Sequence, residues 1–362
     1  MSRSGKGVLI MAGGTGGHIF PGLAVAEVLR KKNIPVRWLG AEGGMETRAV
    51  PAAEIELDVV AIAGLRGKGL VRWVRMPLML LRAVWQARRL LEANRPGCAV
   101  SFGGYAAAPG GIAAWTKGIP VLVHEQNRIP GLTNRLLTRF ARKILQGFPG
   151  TFPPAQSAID SGNPVRRDVA AVEEPQTRLA GRTGPVRVLI TGGSQGAQVL
   201  NKIVPAALQI LSPTLDMEVR HQAGAKRVDE ALEAYAAAGV KADIQPFISD
   251  MAEAYAWADL VVCRSGALTV AELAAAGVAS VLVPFAYAVD DHQTRNAEYL
   301  SEAGAAVILP QSSLDAQVLA SALEPLLSDR AVLLSMAVAA RAKALPDAAE
   351  KVVEACSEWM TG

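Results

Sequence analysis

Cysteine, histidine and unbroken apolar runs are all scarce in this 362-residue chain. Its three cysteines, Cys98, Cys263 and Cys356, stand far apart and are odd in number. That excludes a disulfide framework and a cysteine zinc site, and fits a reducing compartment. No Asp-x-Asp occurs anywhere. The doubled Asp290-Asp291 could be read as metal ligation, but no metal site is expected. The longest uncharged stretch, residues 96–116, carries five glycines and two prolines. It reads as strand, glycine turn and helix rather than as a membrane span. No signal peptide is expected ahead of the first strand near Gly7, and the expectation is a cytosolic protein. Neither of the two glycine-rich loops described below is followed by Lys-Ser/Thr, so neither is a P-loop. The first does not fit Gly-x-Gly-x-x-Gly, so it is not the dinucleotide fingerprint.

What is present is apolar and unevenly charged. The chain is 51% hydrophobic and 19% charged, so it can bury real cores, and its length suggests two domains. The net charge of +4 hides an asymmetry. Residues 1–163 hold 21 Lys/Arg against 9 Asp/Glu, a net +12, and residues 164–362 hold 16 against 24, a net −8. A strongly basic half implies an anionic partner: nucleic acid, an anionic membrane surface or a phosphorylated substrate.

Short β-branched runs alternate with helical patterns along the whole chain, which predicts βαβ units and parallel sheets. Strands are predicted at 7–11, 36–39, 56–61, 98–102, 120–124 and 143–146, and again at 186–191, 217–222, 242–247, 259–263, 280–284 and 306–309. Helical patterns cover 21–32, 200–211 and 267–276. "VLIMAGGTGG" (8–17) is echoed by "VLITGGSQGA" (188–197). Each is an apolar strand, a glycine-rich turn and a helix start at the head of its half, so two doubly wound domains in tandem are predicted. Charge, Pro and Gly interrupt the apolar period over 162–185 and mark the boundary. The tail from Leu345 reads as a short helix, able to pack on either domain, with Pro346 in its first turn.

Chemistry concentrates at a few places. A glycine turn between strand and helix exposes N–H groups at a positive helix end, which suits phosphate, although tight strand–helix packing is an equal reason for glycine. His18 follows the first loop, with Pro21 expected in the first turn of the next helix. A neutral imidazole at the carboxyl edge of a sheet is a candidate general base, and a capping role is its bland alternative. "HEQNRIPG" (124–131) gathers His, Glu, Gln and Asn after a strand. "CRSGALTVAELAAAGVASVLVPFAYAVDDHQTRNAEYL" (263–300) offers a helix start for a pyrophosphate and an early-helix Glu272 for ribose hydroxyls. In 65–95, eight Lys/Arg and a single acid, Glu92, are interleaved with Trp and Leu. That suits an interfacial helix on anionic lipid, or an ordinary helix with a solvated basic face.

Taken together, "GGTGGHIFPGLAVA", "HEQNRIPGLTNR", "SGNPVRRD", "TGGSQGAQVLN" and "RSGALTVAELAAAGVASVLVPFAYAVDDHQTRNA" resemble the MurG family, from about residue 7 to the C-terminal helix. These are bacterial N-acetylglucosaminyltransferases of peptidoglycan synthesis. The resemblance implies the GT-B architecture, with 1–163 plus about 345–362 as the acceptor and membrane-facing domain and 164–344 binding the UDP-sugar. It implies an inverting, metal-independent transfer from UDP-N-acetylglucosamine to the C4 hydroxyl of an undecaprenyl-linked muramoyl-pentapeptide. No cofactor is implied. For the donor it implies Ser194 and Arg166 near the diphosphate and the Ile248 backbone on uracil. It also implies the turn and helix start from Ala267 through Leu268 to Thr269 on the phosphates, Val270 and Ala271 among the substrate-binding residues, Glu272 on ribose and Gln293 on the sugar. Thr15, Gly16, Gly17, His18 and Asn127 complete the site, with His18 as base and Glu125 as runner-up. Some relatives carry Gln-Gln where this chain has His292-Gln293. Arg72, Trp73, Arg75, Leu78, Met79, Arg82 and Trp85 are the expected membrane contacts. The expected place is the cytoplasmic face of the inner membrane, with cell-wall synthesis proteins as candidate partners and no nucleic acid. The alternatives are a UDP-N-acetylglucosamine 2-epimerase, which needs no lipid acceptor, and a non-catalytic nucleotide-sugar-binding subunit.

Overall fold

The computed structural model describes residues 6–62, 70–193, 196–285 and 291–360, with only the backbone for 70–76. The chain forms two compact units, Met1–Arg166 with Leu345–Gly362, and Arg167–Ala344.

The first unit is built on a seven-stranded sheet. Its strands are β1 (Val8–Ala12), β2 (Val36–Ala41), β3 (Glu56–Val60), β4 (Cys98–Gly103), β5 (Val121–Glu125), β6 (Lys143–Gln146) and β7 (Ile159–Asp160). They lie in the order β3-β2-β1-β4-β5-β6-β7, and every pairing is parallel. The second unit carries β8 (Val186–Thr191), β9 (Met217–Gln222), β10 (Asp243–Gln245), β11 (Leu260–Cys263), β12 (Ala279–Leu282) and β13 (Ala306–Ile308), in the parallel order β10-β9-β8-β11-β12-β13. Both are doubly wound sheets in which the order reverses beside the first strand. The two glycine loops therefore leave β1 and β8 at the switch points, where ligands of open α/β sheets bind. Every predicted strand is present to within about two residues. Only β7 was not predicted, because two exposed residues carry no apolar run.

The central strands are buried on both faces, which is why they read as unbroken apolar runs: Val8–Ala12 and Leu260–Cys263 are buried throughout. The helix Gly16–Lys31 packs Ile19, Val25 and Leu29 into the core of the first unit. It begins five residues before Pro21, so the proline sits inside it and not in the first turn; Thr15 is its N-cap. The tail folds as the helix Ala348–Cys356 and packs on the first unit, adding Val352, Val353 and Cys356 to that core. Pro346 precedes this helix, in a turn, rather than opening it. All three cysteines are buried free thiols. A hydrogen bond with Cys98, aided by burial, pushes the Cys356 thiol up.

The helix Leu70–Asn94 follows a less usual rule. Its core face is small: Ala83, Ala87 and Leu91 are buried against the sheet. Its opposite face is large: Leu78, Leu81 and Trp85 are 72%, 67% and 52% exposed. Small residues let it lie close to the helix Ala107–Thr116, whose Ala113 and Ala114 belong to the same cluster.

Candidate functional site

Three loops meet at the carboxyl edge of the first sheet. The first, Gly13–His18, is bare for two separate reasons. A Cβ on Gly13 would lie 2.3 Å from Glu46 Oε1, so that glycine makes room for a buried carboxylate. Glu46 Oε2 accepts from the Gly14 N–H at 3.0 Å, and Oε1 accepts from Ala41 N–H at 2.9 Å. A Cβ on Gly14, at φ +92°, would face open space, and one on Gly17 would meet only Thr15 Oγ1 at 3.8 Å. Glu46 was not anticipated, although it opens a short helix right after "EGG". The second loop, after β4, presses onto the first. Gly104, at φ +90°, has no room for a side chain, because a Cβ would come within 2.2 Å of Gly13 O.

His18 is half-buried at the start of its helix. Its Nδ1 lies 3.2 Å from Gly13 O and 3.5 Å from Thr15 Oγ1. A carbonyl can only accept, so Nδ1 carries a hydrogen, and in the neutral tautomer Nε2 is the nitrogen with the lone pair. Nε2 points toward Gly103, whose missing Cβ would stand 3.3 Å away. The geometry thus presents Nε2 beside two glycine loops.

The third loop, after β5, is organised around Glu125. This carboxylate is only 2% exposed. Oε1 accepts from Asn127 N and Nδ2 at 3.0 and 3.1 Å, and Oε2 from Gly131 N and Asn134 Nδ2 at 3.1 and 2.9 Å. Four N–H groups reach it, so it organises the loop. Asn134 extends the network: its Oδ1 accepts from Ser101 Oγ at 2.8 Å, and Ser101 Oγ accepts from Gly103 N at 3.2 Å. One buried chain therefore ties the second loop to the third, through residues the sequence reading passed over.

In the second unit, the helix Ala267–Ala276 starts after the extended N-cap Gly266, with no side-chain cap. The N–H groups of Ala267, Leu268 and Thr269 have no acceptor within the helix and form its positive end. The Val270 N–H is bonded to Gly266 O, and its side chain is buried. Ala271 lies one turn further in. Glu272 is buried, and its Oε2 accepts from the Tyr255 hydroxyl at 3.1 Å. The buried Ser265 Oγ, in the turn before the helix, has no partner among the described residues. Arg264 donates to Val283 O and Pro284 O and lies over the Phe285 ring, stapling the exits of β11 and β12 together. Gln293 Oε1 accepts from Phe285 N at 2.9 Å. Ile248 is buried in the loop after β10, and Arg166 is half-buried at the end of the first unit. Ser194 falls outside the described residues, as do the side chains of Arg72, Trp73 and Arg75. Leu78, Arg82 and Trp85 share the exposed face of their helix, whereas Met79 is half-buried on its flank.

The sequence of both units matches known proteins. The glycosyltransferase family 28 N-terminal domain matches residues 8–146, and the family 28 C-terminal domain matches residues 187–352. A crystal structure of Acinetobacter baumannii MurG is 41% identical, covers 98% of this chain and 99% of its own, and superposes with a TM-score of 0.85. This chain belongs to the MurG family. A relative from Xanthomonas axonopodis pv. citri is 60% identical over 96% of this chain and 80% of its own length. One from Marinobacter nauticus is 52% identical over 98% of each. Both are named UDP-N-acetylglucosamine--N-acetylmuramyl-(pentapeptide) pyrophosphoryl-undecaprenol N-acetylglucosamine transferase. The fold is accordingly that of GT-B transferases: two parallel-sheet Rossmann-like units.

Proposed function

We propose that this chain catalyses the reaction for which its relatives are named: transfer of N-acetylglucosamine from UDP-N-acetylglucosamine to a lipid-linked muramoyl-pentapeptide. The observation that carries the reading is the run of identity through both units, together with a His18 whose Nε2 is free to accept a proton. The C4 hydroxyl of the muramoyl residue attacks C1 of the donor, and its proton passes to His18 Nε2. The bond from C1 to the diphosphate breaks, and UDP leaves with inversion at C1. The N-terminus of the helix Ala267–Ala276 stabilises the charge that builds on the leaving diphosphate. Arg166 and the loop holding Ser194 assist it, by the family resemblance. Glu272 receives the ribose hydroxyls, the Ile248 backbone meets uracil, and Gln293 meets the sugar. Thr15, Gly16, Gly17 and Asn127 are the substrate-binding residues of the first unit, by the family resemblance.

The acceptor's lipid tail calls for a membrane-facing surface. No helix among the described residues is long and apolar enough to cross a membrane. The exposed stripe of the helix Leu70–Asn94 is the surface we assign to the lipid, as a peripheral contact on the cytoplasmic face. The deciding experiment gives the protein UDP-N-acetylglucosamine with and without a lipid-linked muramoyl-pentapeptide. The expected result is UDP release and a lipid-linked disaccharide only when the acceptor is present. Conversion of the donor to its 2-epimer without acceptor, or binding without turnover, would overturn the reading.

A further inference from the structure

Behind the glycine loop that follows β8 lies a buried polar chain to which the proposed reaction assigns no part. Asn201 belongs to the helix Gln198–Leu211, His221 to β9 and Tyr235 to the helix Val228–Ala238, and all three are buried. Asn201 Nδ2 lies 3.1 Å from Ala223 O and 3.3 Å from Arg227 O. Both are carbonyls, so both amide hydrogens are committed to them and Asn201 Oδ1 must accept. That oxygen faces His221 Nε2 at 3.1 Å, so Nε2 carries the hydrogen. His221 Nδ1 is then the acceptor, and the Tyr235 hydroxyl, 3.0 Å away, must donate to it. Two backbone carbonyls thus determine the direction of every hydrogen bond from Tyr235 through His221 to Asn201. The chain carries no charge, because burial pushes the His221 imidazole down to about 3 and the Tyr235 phenol up.

What the chain holds is the floor of the loop. Gly196 has φ +71°, and a Cβ there would lie 2.0 Å from Ala223 O. The loop therefore rests on the very carbonyl that Asn201 fixes. The N–H of Gly192, at the loop's other end, bonds to Gln222 O beside it at 3.4 Å. We propose that Tyr235 and His221 are positioning residues: acting through Asn201 and the Ala223 carbonyl, they fix the backbone of Gly196, and through it they tune donor binding at the start of the helix Gln198–Leu211. This inference rests on the donor reading of that loop given above.

The test compares Tyr235→Phe, His221→Leu and His221→Gln with Gly196→Ala, measuring KM for donor and acceptor, kcat and the melting temperature. Gly196→Ala probes the loop directly and should raise donor KM most. Tyr235→Phe and His221→Leu should raise donor KM about three- to tenfold, leaving kcat and acceptor KM within about twofold. His221→Gln places an N–H where Nε2–H was and should recover most of the donor KM. If Gly196→Ala raises donor KM and the other variants do not, the relay is wrong and the donor reading of the loop stands. Loss of both substrates' KM and of kcat together, in step with melting, would also overturn it as mere core damage. If Gly196→Ala leaves donor KM unchanged, the donor reading of the loop fails and the relay falls with it. Nitrogen NMR of labelled histidine gives a readout independent of activity. His221 should be protonated on Nε2 and bare on Nδ1, and the reverse tautomer would refute the proton order.

Discussion

At the scale of the residue, what matters is which lone pair is left over. His18 and Glu125 both lie at the carboxyl edge of the first sheet, and on sequence His18 is the candidate base with Glu125 as runner-up. The structure separates them by counting donors: four N–H groups reach Glu125, while His18 Nδ1 reaches a carbonyl and leaves Nε2 open. His18→Ala is therefore expected to lower kcat roughly 10²–10⁴-fold with little change in donor affinity. A mutant that loses only donor affinity would make His18 a binding residue. Glu272→Ala should weaken UDP binding roughly ten- to a hundredfold, the value of a charge-assisted hydrogen bond, and flatten the preference for UDP over its 2′-deoxy analogue. A mutant that keeps the full preference removes Glu272 from the ribose. The position of Glu272 one turn into a helix was legible in the sequence, because strand, glycine turn and helix follow one another locally. Its hydrogen bond with Tyr255 was not, and neither was the grip of Glu46 on the first loop, because each joins residues whose spacing carries no signal.

Elements were more legible than sites where burial is two-sided. Strands such as Val186–Thr191 announce themselves as apolar runs, and the repeated strand–glycine–helix pattern marked both sheets. The helix Leu70–Asn94 shows where pattern reading stops. Its basic and apolar character was plain, but the side facing the core was not, since the core face is the less hydrophobic of the two. Each helical residue advances about 100°, which places Leu78, Leu81, Arg82, Trp85 and Arg89 on one stripe and Ala83, Ala87 and Leu91 opposite. The Arg89 guanidinium sits 3.7 Å from the Trp85 ring centroid, so charge and aromatic surface form one patch. Leu81→Glu combined with Trp85→Glu should abolish binding to anionic vesicles in co-sedimentation while leaving the melting temperature nearly unchanged, because both side chains are exposed. Arg82→Glu with Arg89→Glu should remove the salt-sensitive part of binding alone. Transfer to a long-chain lipid acceptor should suffer in the apolar pair, and transfer to a soluble short-chain acceptor should not. Equal loss on both acceptors would mean that the stripe does not face lipid.

For the whole molecule, each unit carries one buried neutral histidine, and together they make stability depend on pH. In the first, His124 donates from Nε2 to Gly162 O at 2.9 Å, and its Nδ1 accepts from Gln126 at 3.0 Å. Burial holds it down to about 4, against an ordinary value of 6.5. In the second, burial holds His221 down to about 3. Both folded-state values lie below the unfolded one, so between pH 6.5 and about 4 the unfolded chain binds protons that the folded chain does not. Stability must then rise with pH through that window, be fully present above about 6.5, and fall as the solution is acidified. At about 1.4 kcal/mol per pH unit for each group, acidification from 6.5 to 5 should remove about 2 kcal/mol from each unit. Denaturant titrations at pH 5, 6, 7 and 8 read this directly. The His124→Gln and His221→Gln variants start less stable at pH 7 but should lose less on acidification than the parent. If the double variant loses stability between pH 6.5 and 5 as steeply as the parent, groups other than these two imidazoles carry the acid sensitivity.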